Sequence, residues 1–281
     1  MNDLIIAYQG VEGAYSHLAC KNAYPKSLTI ACDTFADAMK LVESGTANLA
    51  MIPVENSTAG RVEEMYRLIP ELKLNIVKEH FEPVRHCLLG VQGSSLKSIK
   101  TVASHPQALA QCYKNISKYG FKAEAKFDTA GSAKEIKKLN DPTKAAIASK
   151  LAAKLYDLVI LDENFGDKIG NTTRFIVLSN ESTTPKYDKK EEFITSLVFN
   201  VRDIPAALYK ALGGFATNGV NLLKLESYSP KGDLKVSQFH LDIDSHPHHP
   251  SFILALEELS FFAKDIKFLG TYRKDSYRVS I

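Results

Sequence analysis

"KIGNTTRFIVLS", residues 168–179, decides the fold. Its second half, from Arg174 to Leu178, reads as a buried strand because the apolar side chains run almost without interruption. Its first half sets Gly170 before three small hydrogen-bonding side chains, Asn171, Thr172 and Thr173, and then Arg174. Taken alone, the stretch also supports a blander meaning: a threonine that begins a strand and an arginine in a surface ion pair.

Upstream, strand-like and helix-like segments alternate. "LIIAY" (4–8), "SLTIAC" (27–32) and "NLAMIPV" (48–54) are short apolar runs. "SHLACKNAY" (16–24), "FADAMKLVES" (35–44) and "VEEMYRLIPEL" (62–72) have helical periodicity. This rhythm predicts a mainly parallel sheet covered by helices. After two more strand-like runs, "LNIVKEHF" and "VRHCLLGV", the alternation restarts with "KTVASH" (100–105). It continues through a helix over "PQALAQCYKNISKYG", stopped by Gly120, then "FKAEAKF", "TAGSAKEIKKL", "AAIAS", "KLAAKLY" and "LVIL". Two α/β units in succession predict two lobes, with residues 168–179 returning from the second to the first as a last strand. Ligands of open α/β sheets sit at the carboxyl ends of strands, and two lobes enclose a cleft.

Downstream, "NESTTPKYDKKEE" (180–192) is polar, charged and contains Pro185, so it reads as a linker. "FITSLVFNV", "PAALYKALGGFATN", "NLLKLESY", "LKVSQFHLDID", "PSFILALEELSFFAK" and "IKFLGTY" then give the β-α-β-β-α-β order of a ferredoxin-like α+β sandwich. A small domain behind a polar linker is as consistent with regulation as with catalysis.

The 281 residues suffice for one large domain or two ordinary ones, and a hydrophobic content of 45% allows a packed core. A net charge of +3 without a basic run gives no sign of a nucleic-acid partner. Cys20, Cys32, Cys87 and Cys112 are widely spaced with no C-x-x-C, so they read as buried thiols in a reducing compartment. Neither a signal segment nor an apolar run near the roughly 20 residues that span a bilayer is visible. A soluble, cytoplasmic protein without a membrane partner is expected. "DSHPHHP" (244–250) holds three histidines but no metal-ligand spacing, so it reads as a solvated loop and no metal is expected.

Polar stretches stand where the cleft of such a fold would be. "QGVEGAYSH" (9–17) puts Gly10 and Gly13 at a strand-to-helix turn, without the spacing of a dinucleotide or phosphate loop. "IPVENSTAG" (52–60) ends a strand at Pro53 and Val54 and then offers Glu55, Asn56, Ser57 and Thr58, which either form a site or cap the next helix. "SHPQALAQC" (104–112) gives Ser104 and Gln107 capping-box spacing. It also sets Gln107 and Gln111 on one helix face, where two amides near a helix start suit a carboxylate. Residues 171–174 are the fourth such stretch.

Together, "GVEGAYSH", "IPVENS", "SHPQALAQC" and "NTTRF", in that order, resemble the prephenate dehydratase family, as does "AAIASKLAAKLY". Residues 193–281 are similar to its ACT regulatory domain. The resemblance covers nearly the whole chain. It implies a two-lobed periplasmic-binding-protein-like (type II) catalytic domain over 1–180, a linker over 181–192 and an ACT domain over 193–281. It further implies conversion of prephenate to phenylpyruvate, water and carbon dioxide in L-phenylalanine biosynthesis, with no cofactor. A homodimer or homotetramer, with L-phenylalanine as allosteric inhibitor, is implied as well. Arogenate as the substrate and a non-catalytic amino-acid sensor remain as alternatives.

The residue types suit that chemistry. Prephenate carries two carboxylates and a ring hydroxyl, and losing the ring carboxylate as the hydroxyl departs makes the ring aromatic. The protein must hold a dianion and assist a leaving hydroxyl. By resemblance Thr173 is the catalytic threonine, placed to hydrogen-bond that hydroxyl. Arg174 would pair with a carboxylate through its planar fork. Asn56, Ser57, Gln107 and Gln111 would donate neutral hydrogen bonds, with Phe175 packed behind the site. Thr58, Ser104, Thr129 and Asn171 complete the implied substrate-binding set. Glu55 either braces the Asn-Ser loop or, as a carboxyl in a drying cleft, supplies the proton. The implied phenylalanine site combines Ala206, Ala207 and Leu208 of one copy with Asn221 and Leu222 of another. Three departures from the family pattern matter. Asp128 stands where serine is usual, Ala206 where glycine is, and Tyr228 in "ESYSP" (226–230) where the arginine of Glu-Ser-Arg-Pro is.

Overall fold

The computed structural model describes residues 3–228 and 238–279. The chain begins with β1 (Ile5–Gln9), α1 (Tyr15–Ala23), β2 (Leu28–Cys32), α2 (Phe35–Glu43), β3 (Leu49–Asn56), the short β4 (Gly60–Arg61), α3 (Glu63–Leu68) and β5 (Asn75–Pro83). A second run follows: β6 (Cys87–Gly90), β7 (Thr101–Ser104), α4 (Pro106–Gln111), α5 (Tyr113–Tyr119), β8 (Lys122–Ala125), α6 (Thr129–Leu139), β9 (Lys144–Ala148), α7 (Lys150–Leu155) and β10 (Val159–Asp162). The chain then returns through β11 (Thr172–Ser179), which lies between β3 and β5 in a sheet ordered β2-β1-β3-β11-β5, with β4 paired to β3. The second sheet is ordered β10-β6-β9-β7-β8. Both are mixed: β1 pairs β2 in parallel and β3 pairs β4 antiparallel, while β7 runs parallel to β8 and β9 and β6 antiparallel to β9 and β10.

Three local details differ from the sequence reading. The helix expected over 106–120 is broken at Cys112 (φ −118°, ψ 13°) into α4 and α5, and left-handed Gly120 closes the second piece. β3 does not stop at Val54, because Glu55 and Asn56 pair with Arg61 and Gly60 in a hairpin. α3 opens after Val62 without a side-chain cap, so Asn56, Ser57 and Thr58 do not serve it.

Alternation along β6 sends Cys87 and Leu89 into a core with Ala130, Ala133 and Ile136, and Leu88 into another with Cys112, Ile116 and Phe165. The four cysteines are free and buried. Burial pushes the Cys20 and Cys112 thiols up to about 12 and that of Cys87 to about 11, so all three stay protonated and unreactive at neutral pH.

Beyond residue 192 come β12 (Phe193–Val201), α8 (Ala207–Thr217), β13 (Leu222–Tyr228), β14 (Gln238–Ile243), α9 (Pro250–Phe262), β15 (Ala263–Arg273) and the short α10 (Ser276–Val279). The sheet is ordered β13-β14-β12-β15, every neighbouring pair antiparallel. Leu197, Phe199, Leu241 and Ile243 bury one face of it against Ala211, Phe215, Phe252 and Leu259 of the two long helices. The start of the strand expected from Leu234, together with Ser229 and Pro230, lies outside the described residues. The histidine loop is not wholly solvated: His246 is buried, contacts the rings of Tyr187 and Phe193, and faces the Pro185 carbonyl at 2.9 Å.

The chain divides into two compact units, each discontinuous in sequence. One comprises Met1–Leu41, Ala50–Arg61 and Phe81–Phe175; the other comprises Val42–Leu49, Val62–His80 and Ile176–Ile281. Within the second, the segment over 62–80 is fastened to the antiparallel sheet and its C-terminal extension. Lys267 Nζ donates to the Leu72 carbonyl, and Arg278 Nε pairs at 2.8 Å with fully buried Glu79. Gly270 leaves no room for a Cβ beside the Ile76 carbonyl. Among the described residues no helix is long and apolar enough to cross a membrane.

Candidate active site

Four polar side chains meet in the first unit: Asn56 at the end of β3, Asn171 and Thr173 at the start of β11, and Gln111 in the last turn of α4. The direction of each can be derived. Asn56 Oδ1 accepts the backbone N–H groups of Thr58 at 3.0 Å and Ala59 at 2.9 Å, an Asx turn that shapes the β3–β4 hairpin. With the oxygen so fixed, Nδ2 faces β11 and donates to Asn171 Oδ1 at 2.7 Å and Thr173 Oγ1 at 2.9 Å. Asn171 is thereby oriented in turn, and its Nδ2 donates to Gln111 Oε1 at 3.0 Å. Two backbone groups thus set the direction of three amides. Two donors have no acceptor among the described residues: the Thr173 hydroxyl hydrogen and the Gln111 NH2. A hydroxyl that already accepts from an amide is polarised to donate more strongly. Such donors can grip an anion or a leaving oxygen without adding formal charge.

The other expected residues are placed differently. Ser57 Oγ accepts the Thr172 N–H at 3.0 Å and donates to the Gly170 carbonyl at 3.3 Å, so it splices the hairpin to β11 and its hydrogen is already committed. Thr58 is exposed, and its backbone N–H is what enters the network. Arg174, only 3% exposed, sets Nη1 at 3.1 Å from Glu55 Oε1. Neighbouring strand residues face opposite ways. Thr173 and Arg174 therefore do not share one surface; Arg174 holds Glu55 while Thr173 joins the amides. Phe175 is buried.

Ser104 is fully buried and donates to the Ile147 carbonyl, so it offers a ligand no surface. Nor does it cap α4: His105 is the cap, its Nδ1 accepting the Gln107 N–H at 3.2 Å. Gln107 lies exposed on the same helix, apart from the bonds that hold Gln111. Thr129 begins α6, whose cap is Asp128; the Asp128 carboxylate accepts the Gly131 N–H. The extra negative charge is thus tied to a helix N-terminus, where the peptide dipoles offset part of it. "QGVEGAYSH" is a closed turn: left-handed Gly13 donates its N–H to His17 Nδ1 at 3.1 Å, and its carbonyl accepts from Ser149 Oγ at 2.7 Å.

In the antiparallel sheet, Ala206 precedes α8 in the left-handed conformation (φ 57°, ψ 29°) with no side-chain cap. Leu222 and Thr195 both pair with Ile243, so β13 starts level with Thr195, whereas Ala206 follows the far end of β12 at Val201. At roughly 3.3 Å per residue, one copy keeps Ala206, Ala207 and Leu208 about 20 Å from Asn221 and Leu222. Tyr228 packs on Tyr66 of α3 with ring centroids 5.5 Å apart, and its hydroxyl is 3.4 Å from His240 Nδ1.

Sequence reasoning missed His86, which meets the Gln111 oxygen, and Tyr15, whose hydroxyl backs the His86 ring. For His86 the available signal was a polar side chain directly ahead of a fully buried strand, as the longer polar stretch at 171–174 stands ahead of another.

A mixed α/β framework that gathers neutral amide and hydroxyl donors at strand and helix ends is suited to holding a small polar molecule. The chain belongs to the prephenate dehydratase family of lyases, whose model, described as prephenate dehydratase, matches residues 6–183. It is 45% identical over 274 residues to the bifunctional N-acyl-homoserine lactone acylase/prephenate dehydratase of Komagataeibacter europaeus, covering 98% of this chain and 97% of that one. It is 39% identical over 282 residues to arogenate dehydratase/prephenate dehydratase 2, chloroplastic, of Arabidopsis thaliana, covering 96% and 73%. Among solved structures, prephenate dehydratase from Arthrobacter aurescens in complex with L-Phe is 29% identical, with a TM-score of 0.86 over 96% of this chain and 90% of that one.

Proposed function

We propose that this chain is a cytoplasmic prephenate dehydratase of L-phenylalanine biosynthesis. Its periplasmic-binding-protein-like lobes span 1–180, a linker 181–192 and a ferredoxin-like ACT domain 193–281. The observation that carries this reading is the uncommitted hydrogen of Thr173, whose oxygen is held by Asn56. As the ring carboxylate leaves as carbon dioxide, its electron pair passes through the diene and expels the ring hydroxyl. Thr173 donates to that oxygen. Negative charge grows there only as the bond breaks, so the hydrogen bond strengthens in the transition state, where stabilisation raises kcat. A threonine hydroxyl is a poor acid; it polarises the leaving group without ionising. Gln111 NH2 takes a substrate carboxylate. The ion pair with Arg174 supports Glu55 as a brace of the hairpin rather than the proton source.

For control, L-phenylalanine binds between two ACT copies in a homodimer or homotetramer. The opposite-end placement of Ala206 and Asn221 supports a site that needs a second copy. So do exposed Leu225, Leu254, Phe261 and Phe268, and the relative solved with L-Phe. The test is incubation of purified protein with prephenate and, separately, arogenate, without added cofactor. Phenylpyruvate from prephenate, inhibited by added L-phenylalanine, is expected. Phenylalanine from arogenate alone would move the substrate to one that the Arabidopsis relative's name gives beside prephenate. No product from either would leave an amino-acid sensor.

A further inference from the structure

We propose that His86 is a positioning residue, which in its Nε2–H tautomer holds the Gln111 oxygen inward so that the Gln111 NH2 faces the ligand. This rests on the site just described, although its first test does not need turnover.

His86 directly precedes β6, is 5% exposed, and is anchored by its carbonyl, which accepts the Phe165 N–H at 2.8 Å. Its Nε2 lies 2.6 Å from Gln111 Oε1. That atom is an oxygen because Asn171 Nδ2 donates to it, an orientation traced back to the Asn56 turn. A carbonyl oxygen cannot donate, so His86 Nε2 carries the hydrogen. Burial lowers the ring's pKa, which favours the neutral form at neutral pH and leaves Nδ1 bare. The bare nitrogen has a donor: the Tyr15 hydroxyl stands 3.0 Å from it, with the two rings edge to face. The same hydroxyl is 2.8 Å from the Arg85 carbonyl, so one hydrogen serves two acceptors. Burial raises the Tyr15 pKa and keeps that hydrogen in place.

The tautomer and the amide lock each other. The Nδ1–H form would point a lone pair at Gln111 Oε1. Turning the Gln111 amide over would relieve that clash but would set its NH2 against Asn171 Nδ2, donor against donor. Asn171 cannot turn, because Asn56 is fixed by backbone. Removing the His86 donor leaves Gln111 held by Asn171 alone, and the ligand-facing NH2 loses its aim.

The experiment labels the histidines of the full-length, ligand-free protein with nitrogen-15 and reads the ring-nitrogen shifts of His86 at neutral pH. The Nε2–H pattern is expected; an Nδ1–H or doubly protonated ring would overturn the proposal, whatever the enzyme's substrate. Kinetics with prephenate then follow. His86→Leu should lower kcat on the order of tenfold to a hundredfold, whereas His86→Gln, whose NH2 replaces the donor, should stay within about threefold. A folded His86→Leu protein with unchanged kcat and KM, or a folded His86→Gln protein as impaired as His86→Leu, would also overturn it. Should His86→Leu fail to fold, the tautomer measurement on the natural sequence still decides.

Discussion

The start of β11 and the start of α8 present hydrogen-bond donors in opposite ways. At β11 the donors belong to side chains, and their direction is relayed from an Asx turn through Asn56 and Asn171. At α8 they are backbone N–H groups of a helix that opens after left-handed Ala206. A site made of side chains is written in residue types and fails when one type changes. A site made of backbone is written in conformation and tolerates many residues at a cost in strain. Family-like motifs are therefore sharp in the first region, while the second accommodates a departure such as Ala206.

The sharpest break should come from Asn56→Ala, which removes the relay at its source. We expect kcat/KM for prephenate to fall about a thousandfold while the protein stays folded, since one oriented donor in a reaction site contributes on that scale. Steady-state kinetics check it, and a loss under tenfold would mean that the relay is ornamental. In the second region the corresponding damage is to stability. Arg278→Ala deprives fully buried Glu79 of its pair and should cost about 3 kcal/mol in urea unfolding, with kcat per folded molecule unchanged.

A smaller effect follows from buried imidazoles. Burial lowers the pKa of His17 and of His86. The unfolded chain therefore takes up protons before the folded one as pH falls through about 6.5. Stability is fully present above that value and is lost below it, down to the folded pKa, by at most about 1.4 kcal/mol per pH unit per group. Thermal unfolding should show this slope, and His86→Gln should flatten it. The smallest change sharpens the comparison from the other side. Ala206→Gly should raise stability by about 1 kcal/mol, because glycine adopts the left-handed conformation without a Cβ penalty. Inhibition by phenylalanine should persist in that variant. Its disappearance would show that recognition at α8 depends on the side chain after all.

Much of this was legible in the sequence. The α/β alternation and the unbroken apolar run at 175–178 located the return strand, since a strand buried on both faces needs such a run. The period of two also held information that was not drawn out: it already sets Thr173 and Arg174 on opposite faces. Pro106 at the first position of α4 likewise marks His105, not Ser104, as its cap. His86 was harder to read, because a lone histidine before "CLLG" looks like any core residue until Gln111, 25 residues away, is found against it. The fastening of residues 62–80 to the antiparallel sheet leaves no local trace, for Glu79 and Arg278 are 199 positions apart.

The hydrogen of Thr173 is the group on which turnover most directly depends, and one kinetic comparison tests it: Thr173→Val against Thr173→Ser, each assayed for phenylpyruvate from prephenate. Valine keeps the shape of threonine and removes the hydroxyl; serine keeps the hydroxyl and removes the methyl. We predict that Thr173→Val lowers kcat by about a hundredfold or more with KM little changed, and that Thr173→Ser stays within about tenfold of the natural protein. A folded Thr173→Val protein that turns prephenate over at the natural rate would contradict the account.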